Sequence, residues 1–464
     1  MRKIGRSGTL HGMLPGMAQD EQEEGHESRD IEPVYRPSDD GTIVVYAGDL
    51  LLALGAEDHL VPGNLELRLG PRPGFSAQVA GRGAWLLAPA SESQHLTVTL
   101  PPGAAFDPPT TLVSSARPEG SASGPHVSIP INRMSVGELR LAERLLLHVS
   151  GPLSPWPPPS READSGEQAQ PQLPWSLSGW DLRLAEAGGP RAVNDFSYVV
   201  EAVPHDLPVD LDATERLSSQ VFLLLSLIAG QEIGVAPVVG IDAAGRVVWA
   251  DWGAPRSRPE QSAWRWCPRH LVNHALPALA IGLTSLADDP ALQQVVDRAG
   301  RHLLAANGPE VLDIRIPVAC TGLELLGWAV LQRHQRLTRT GLGRLPAKGR
   351  VRLLLQWAGI PIELPSQFRS LEARRGRLGQ ADAAGPELIF HVRNSLVHPP
   401  KRIEEPEWPH RDELLEAWQL ATWYLELAVL RLLGYRGEYV SRLRLDGWAG
   451  DTEVVPWSTS RNHG

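Results

Sequence analysis

Apolar positions between residues 35 and 150 come in short bursts, GTIVVYAG, LELRLG, HLTVTLP and HVSIPI, separated by Gly/Pro clusters at strand-like intervals. This pattern predicts a β-rich, sandwich-like module over residues 35–150. Strand candidates resume at WDLRL, FSYVVEAV and RVVWADW, so the module is expected to continue over 176–264, with one apolar helix at TERLSSQVFLLLSLIAG. Between these blocks, GPLSPWPPPSREADSGEQAQPQLP is proline-rich and polar, which predicts a linker or exposed loop over 151–175.

From residue 265 the apolar period becomes helical. DDPALQQVVDRAGRHLLAANG carries Asp289 ahead of Pro290 as a start signal, and EVLDIRIPVACTGLELLGWAVLQRH follows it. VRLLLQWAG, PELIFHVRNSLVH and RDELLEAWQLATWYLELAVLRLLGYRG are also helical in period, the last stopped by Gly434. The expected class is therefore α+β multidomain, a β-rich module followed by an α-helical bundle over 265–445. Residues 1–34, polar and acidic, are expected to be a disordered tail, and 446–464 a C-terminal tail.

Length and composition narrow this picture without changing it. With 464 residues the chain is long enough for two or three domains, and its two cysteines are too few for a disulfide framework or a four-cysteine zinc site. A reducing, cytoplasmic setting is expected. No apolar stretch of signal-peptide length follows the N-terminus, and the runs VFLLLSLIAG and IPVACTGLELLGWAVL are shorter than the ~20 residues of a membrane span, so no membrane partner is expected.

Charge divides along the chain. Residues 301–464 hold 22 Lys+Arg against 18 Asp+Glu, a balance of +4, while residues 1–300 hold 22 against 36, a balance of -14. Ten arginines and Lys348 fall between Arg333 and Arg377, with only Glu363 and Glu372 opposing them. A field of that sign attracts phosphate, although a solvated helix surface has the same composition. Arg333, Arg336 and Arg339 in this stretch, with Lys401 and Arg402 farther on, are the candidate RNA contacts.

The most pointed chemistry lies in FHVRNSLVHPPKR, residues 390–402. Pro399 disfavours helix at His398, so the histidine sits at a helix end with Arg393 more than one turn earlier. The two lie about 140° apart around an ideal helix and do not share a face. Arginine clamps phosphate through paired N–H donors and histidine exchanges protons near neutrality, a combination suited to cutting RNA through its own 2′-hydroxyl without an obligatory metal. Other motifs carry less. Cys267, His270 and His274 have helical ligand spacing, but Leu271 stands where a metalloprotease helix has glutamate and no fourth ligand is evident. In GLGRLPAKG, Lys348 precedes Gly349 where a phosphate loop needs Ser or Thr. Trp249, Trp252, Trp264 and Trp266 are interleaved with arginines, which suits either base stacking or packing where strands meet helices. No metal or cofactor is expected.

Arg393-Asn394-Ser395-Leu396-Val397-His398 resembles the R-x4-H motif of HEPN domains (higher eukaryotes and prokaryotes nucleotide-binding), with a polar residue directly after the arginine. Glu324, in the upstream helix GLELLGWAVL, is similar to the acidic residue that some of these domains place near the motif. WYLELAVLRLLGYRGEY and EVVPW resemble the C-terminal pattern of bacterial abortive-infection HEPN proteins in which a β-rich module precedes the helices. The resemblance implies a metal-independent endoribonuclease acting in defence or as a toxin, with Arg393, His398, Asn394 and Glu324 at its site. It also implies a homodimer through the helical domain, RNA as substrate, and a trigger or inhibitor acting on the β module. The alternative in the same family is a non-catalytic module that binds nucleotide, nucleic acid or protein.

Overall fold

The computed structural model describes residues 30–38, 40–54, 57–69, 73–80, 96–101, 126–151, 171–187, 196–254, 264–398, 408–444 and 451–458. Five strands, β1 (Thr42–Leu54), β2 (Glu57–Arg68), β3 (Gly74–Ala80), β4 (Leu96–Thr99) and β5 (His126–Pro130), form an antiparallel sheet in the order β4-β1-β2-β3-β5. Seven more form a second antiparallel sheet in the order β6-β12-β11-β7-β10-β9-β8. They are β6 (Arg133–Gly137), β7 (Arg144–Ser150), β8 (Gln172–Leu177), β9 (Trp180–Glu186), β10 (Phe196–Pro204), β11 (Gly234–Ile241) and β12 (Val247–Gly253).

Side chains of the second sheet alternate between two cores, as a pleated strand requires. Leu145, Leu147, Val149, Tyr198, Val200 and Trp249 pack with the helices, whereas Leu146, Phe196, Val199, Val239 and Trp252 pack with the five-stranded sheet. The two sheets therefore form a sandwich, and the helices close its other side.

Helix α1 (Leu211–Ala229) follows β10, capped at its start by Asp210 accepting from the Ala213 N–H and ended by Gly230 at φ 70°. The remaining helices run in sequence: α2 (Val272–Thr284), α3 (Pro290–Ala306), α4 (Leu312–Arg333), α5 (Arg339–Arg344), α6 (Ala347–Ala358), α7 (Arg369–Arg377), α8 (Gly385–Val397) and α9 (Arg411–Leu432). Asp289 caps α3 through the Leu292 N–H at 3.1 Å, with Pro290 in the first turn, as its sequence signal predicts. The overall class is α+β, with strands preceding helices.

The structure departs from the expected divisions in five places. Residues 172–175 belong to β8, not to a linker, because Leu173, Trp175 and Leu177 alternate inward while Pro174 sits on the exposed side of an edge strand. The sheets change at residues 131–132, so 133–150 belong with the later strands and not with the 35–130 block. Residue 264 marks a change of secondary structure but no break in packing: one apolar core runs from β7 through α1 to α9, and residues 31–464 form one compact unit. Ile31 is buried and the Val34 N–H is hydrogen-bonded, so this end of the expected tail is seated; residues 1–29 lie outside the described residues. At the other end, β13 (Glu438–Tyr439) pairs with β14 (Glu453–Val454), and the indole of Trp457 is buried and donates to the Tyr435 carbonyl at 2.7 Å.

Helix α4 is longer than its apolar run and meets the length and composition of a membrane span, with 56% of the relevant window packed inside the protein. The tryptophan series packs: Trp249, Trp252 and Trp266 are buried, Trp252 donating to the Tyr35 hydroxyl and Trp266 to the Leu227 carbonyl.

The N-terminal strap is anchored by a buried histidine on β7. The Val34 N–H donates to Nε2 of His148 at 3.0 Å, which leaves Nδ1 to donate to the Pro237 carbonyl at 2.9 Å, while Tyr35 and Phe196 flank the ring. Burial pushes the imidazole down from 6.5 to about 4, against the opposing pull of the Pro237 hydrogen bond. The unfolded chain therefore binds the extra proton first, so this contribution to stability is complete above pH 6.5 and is lost as pH falls toward 4. Urea unfolding at stepped pH should show stability declining by roughly 3 kcal/mol over that window. In His148→Phe the decline should flatten, on a lower baseline.

Candidate functional site

Helix α8 positions the R-x4-H residues. Leu388, Ile389, Phe390 and Val392 bury one face of it. Glu387 closes a capping interaction with the Ala384 N–H and takes a bidentate pair from Arg352 of α6 at 2.8 and 2.9 Å, which fixes the axial position of α8. At its other end the backbone turns extended at His398 (φ -117°, ψ 142°), as the following proline requires, after the His398 N–H has donated to the Asn394 carbonyl at 3.1 Å.

Arg393 reaches toward α4 and α6. Its Nη2 stands 3.9 Å from a Glu324 carboxylate oxygen, whose other oxygen is 3.5 Å from Nη2 of Arg350. Nη1 donates to Asn394 Oδ1 at 3.1 Å, and Nε is buried with no partner among the described residues. The Arg393 side chain is 26% exposed. Beneath this group, burial pushes the Cys320 thiol up to about 12, with Arg393 pulling the other way, so the sulfur is no nucleophile at neutral pH. The arc of about 140° between Arg393 and His398 is the solvent side of α8: Asn394, Val397 and His398 are all exposed. The structure thus brings together Arg393, Asn394 and Glu324, and leaves His398 at the far margin of the same exposed ridge.

A second polar cluster lies on the opposite flank of α8 and was not singled out from sequence. Arg374 of α7 is 4% exposed and donates to Glu413 of α9 at 2.6 Å, to Ser395 Oγ at 3.0 Å and to His391 Nδ1 at 3.3 Å. Arg377 binds the other Glu413 oxygen. Burial pushes the Glu413 carboxyl up, but the Arg377 and Arg374 guanidiniums outweigh it and hold the group below its ordinary value. One signal was available: Glu413 stands three residues after His410, and its carboxylate takes the His410 N–H. The spacing of His391 and Ser395, one turn apart, was another.

The arginine-rich stretch divides into committed and uncommitted charges. Six of its ten arginines meet carboxylates: Arg333 with Asp289, Arg350 with Glu324, Arg352 with Glu387, Arg375 with Glu372, and Arg374 and Arg377 with Glu413. Arg333 thereby pairs with the N-cap of α3 while its side chain stays about half exposed. Arg336 and Arg339 are exposed and have no ion pair among the described residues. Lys401 and Arg402 lie outside the described residues. Cys267 is buried in the core and its thiol is pushed well up by burial.

Comparison with known proteins finds similarity over the helical region and beyond it. Residues 289–454, from the α3 N-cap to β14, match the family model described as the YopA C-terminal domain. The chain is also 24% identical over 282 residues, 59% of its length, to the SPbeta prophage-derived uncharacterized protein YopA of Bacillus subtilis (strain 168). It spans 61% of that relative. No solved structure matches.

Burial separates the two clusters energetically. Glu413→Ala strands Arg374 in the core and should cost about 3–5 kcal/mol. Glu324→Ala, at the exposed ridge, should cost about 1 kcal/mol or less. Urea midpoints of the two variants measure the contrast, and equal losses would contradict it.

Proposed function

We propose that this chain is a metal-independent endoribonuclease of the HEPN kind, an effector of a defence or toxin-like system, whose cleft is completed by two copies of the helical region. The observation that carries the reading is the ridge of α8, where a mostly buried Arg393 with a carboxylate at 3.9 Å and an exposed His398 border one solvent-facing arc. In the reaction the 2′-hydroxyl oxygen of RNA attacks the adjacent phosphorus, its proton passes to a base, and the P–O5′ bond breaks as an acid protonates the leaving oxygen. The products are a 2′,3′-cyclic phosphate and a 5′-hydroxyl end. Arg393 stabilises the charge on the phosphoryl oxygens, Asn394 and Glu324 hold its guanidinium in place, and His398 moves protons.

One copy spreads Arg393 and His398 about 140° apart, too far to converge on one phosphate, whereas a two-fold axis across α8 supplies two clamps and two proton carriers. Arg336 and Arg339 extend the phosphate track. The β sandwich carries the response to a trigger or inhibitor. A second reading, a HEPN module that binds without cutting, is favoured by one observation: Glu324 is shared between Arg350 and Arg393, which keeps part of the guanidinium occupied.

The full chain, incubated with single-stranded RNA in chelator, should generate 2′,3′-cyclic phosphate ends. His398→Ala should lower the rate by about a hundredfold or more while leaving the circular dichroism spectrum intact. RNA binding without cleavage under activating conditions favours the second reading; a rate restored only by metal overturns the first.

Binding has its own measure. Replacing Arg336 and Arg339 by glutamate should weaken RNA affinity without changing sequence preference. The slope of log K against log salt should shrink by roughly 1.4 for the two lost phosphate contacts. An unchanged slope would leave these arginines as solvated surface.

A further inference from the structure

Helices α1 and α3 lie side by side and parallel. Gly300 of α3 packs against Leu223 of α1, and seven residues farther along both helices the Asn307 side-chain amide donates to the Gly230 carbonyl. A Cβ at 300 would push against the end of the Leu223 side chain, so glycine lets the two helices approach without moving it. Toward their N-termini the helices part, and a groove of about 670 Å3 opens between them with Leu283 of α2 also lining it. This lies within the range of small-ligand sites.

The lining is polar in a particular way. Glu215 and Asp297 are already neutralised from outside, by Arg133 at 2.6 Å and Arg301 at 2.9 Å. Arg216 of α1 and Arg298 of α3 are exposed, line the groove, and have no carboxylate partner among the described residues. The Arg298 charge is felt one turn away, where burial and that charge together hold the His302 imidazole below its ordinary value. Gln220, Gln293 and Gln294 add amides whose side chains make no hydrogen bond among the described residues, and Asp212 adds a carboxylate. Both helix N-termini, with their partial positive charge, stand at this end of the groove.

We propose that this groove binds a mononucleotide, with its phosphates between Arg216 and Arg298, a ribose hydroxyl donating to Asp212, and the glutamine amides at the edge of the base. Guanidiniums suit phosphate oxygens, a carboxylate accepts from a diol, and amides read both donors and acceptors on a base. A ligand there braces the helix that lies against the sandwich to the helix that begins the YopA-like segment. The proposal is independent of RNA cleavage, because binding itself is the readout.

Calorimetric titration of the full chain with ATP and GTP, alongside adenosine and inorganic triphosphate, tests it. Saturable binding of a nucleotide is expected, tighter than either fragment, and weakened about tenfold or more in Arg216→Ala and in Arg298→Ala. Both arginines are exposed, so the variants should keep the wild-type melting temperature without ligand, and the same ligand concentration should raise that temperature less in the variants than in the wild type. Absence of saturable binding by either nucleotide at millimolar concentration overturns the proposal. Binding undiminished in both variants overturns the location, and triphosphate binding as tightly as ATP overturns the nucleotide.

Discussion

Leu145, Leu147 and Val149 of β7 point into the helical core, and Leu146 and His148 between them point at the five-stranded sheet. Antiparallel sheets commonly keep one face wet, but this one is covered on both. The covering elements have to fit a central layer that cannot shift by one residue without exchanging its two side-chain sets. The strap at Val34 is one consequence: its N–H finds an acceptor only because His148 occupies the β7 position facing it. Helix α2 is another. It packs on β8, an edge strand of the sheet, and its Thr284 accepts the N–H of Ser178 at 3.1 Å in the turn that follows.

The doubly buried sheet also explains what was legible in the sequence. β9 alternates cleanly at Leu182 and Leu184 and was readable; β7 (RLLLHVS) and β11 (GVAPVVGI) are near-continuous apolar runs, which periodicity alone does not distinguish from helix. β8 was hidden behind its prolines, since composition weighs Pro174 as a loop signal while register on an edge strand tolerates it. The helices were easier. Asp289 with Pro290, and Gly434, announced ends that the structure places where expected, because caps are local and need no knowledge of partners. The domain boundary was not readable for the opposite reason. It depends on whether Tyr198, Leu223 and Leu425 share one core, and pairings over such separations leave no local trace.

The candidate site was half legible in the same sense. That His398 ends a helix follows from Pro399 alone, and that Arg393 stands on another face follows from the helical repeat. The pairing of Glu324 with Arg393, by contrast, depends on α4 and α8 crossing at those positions, and was supplied by resemblance. The charge count misled where pairing decided. A run of arginines with two acids in its own stretch looks unopposed, yet Asp289, Glu324, Glu387 and Glu413 arrive from other helices and neutralise five of them. What is left uncommitted, around Arg336 and Arg339, is narrower than the sequence suggests.

This redistribution gives α8 two unlike flanks. On one, Arg374 is locked between Glu413, Ser395 and His391 in a setting where removing any partner leaves a buried charge, so that flank is rigid. On the other, Arg393 meets Asn394 at 3.1 Å and Glu324 at 3.9 Å, and its Nε has no acceptor among the described residues. Arg393 is thus positioned without a close ion pair among the described residues. The buried flank supplies the stiffness that such an arrangement needs, because α8 cannot roll to bring Arg393 into a better internal pair while Ser395 and His391 are tied to Arg374. The matched YopA-like segment contains both flanks but not α1 or α2, whose side chains complete its packing at Gly300 and at Gly282, where a Cβ would overlap the Leu433 carbonyl. The segment is thus held from both sides of residue 289: by ion pairs within it, and by the packing of α1 and α2 on α3 and on the end of α9.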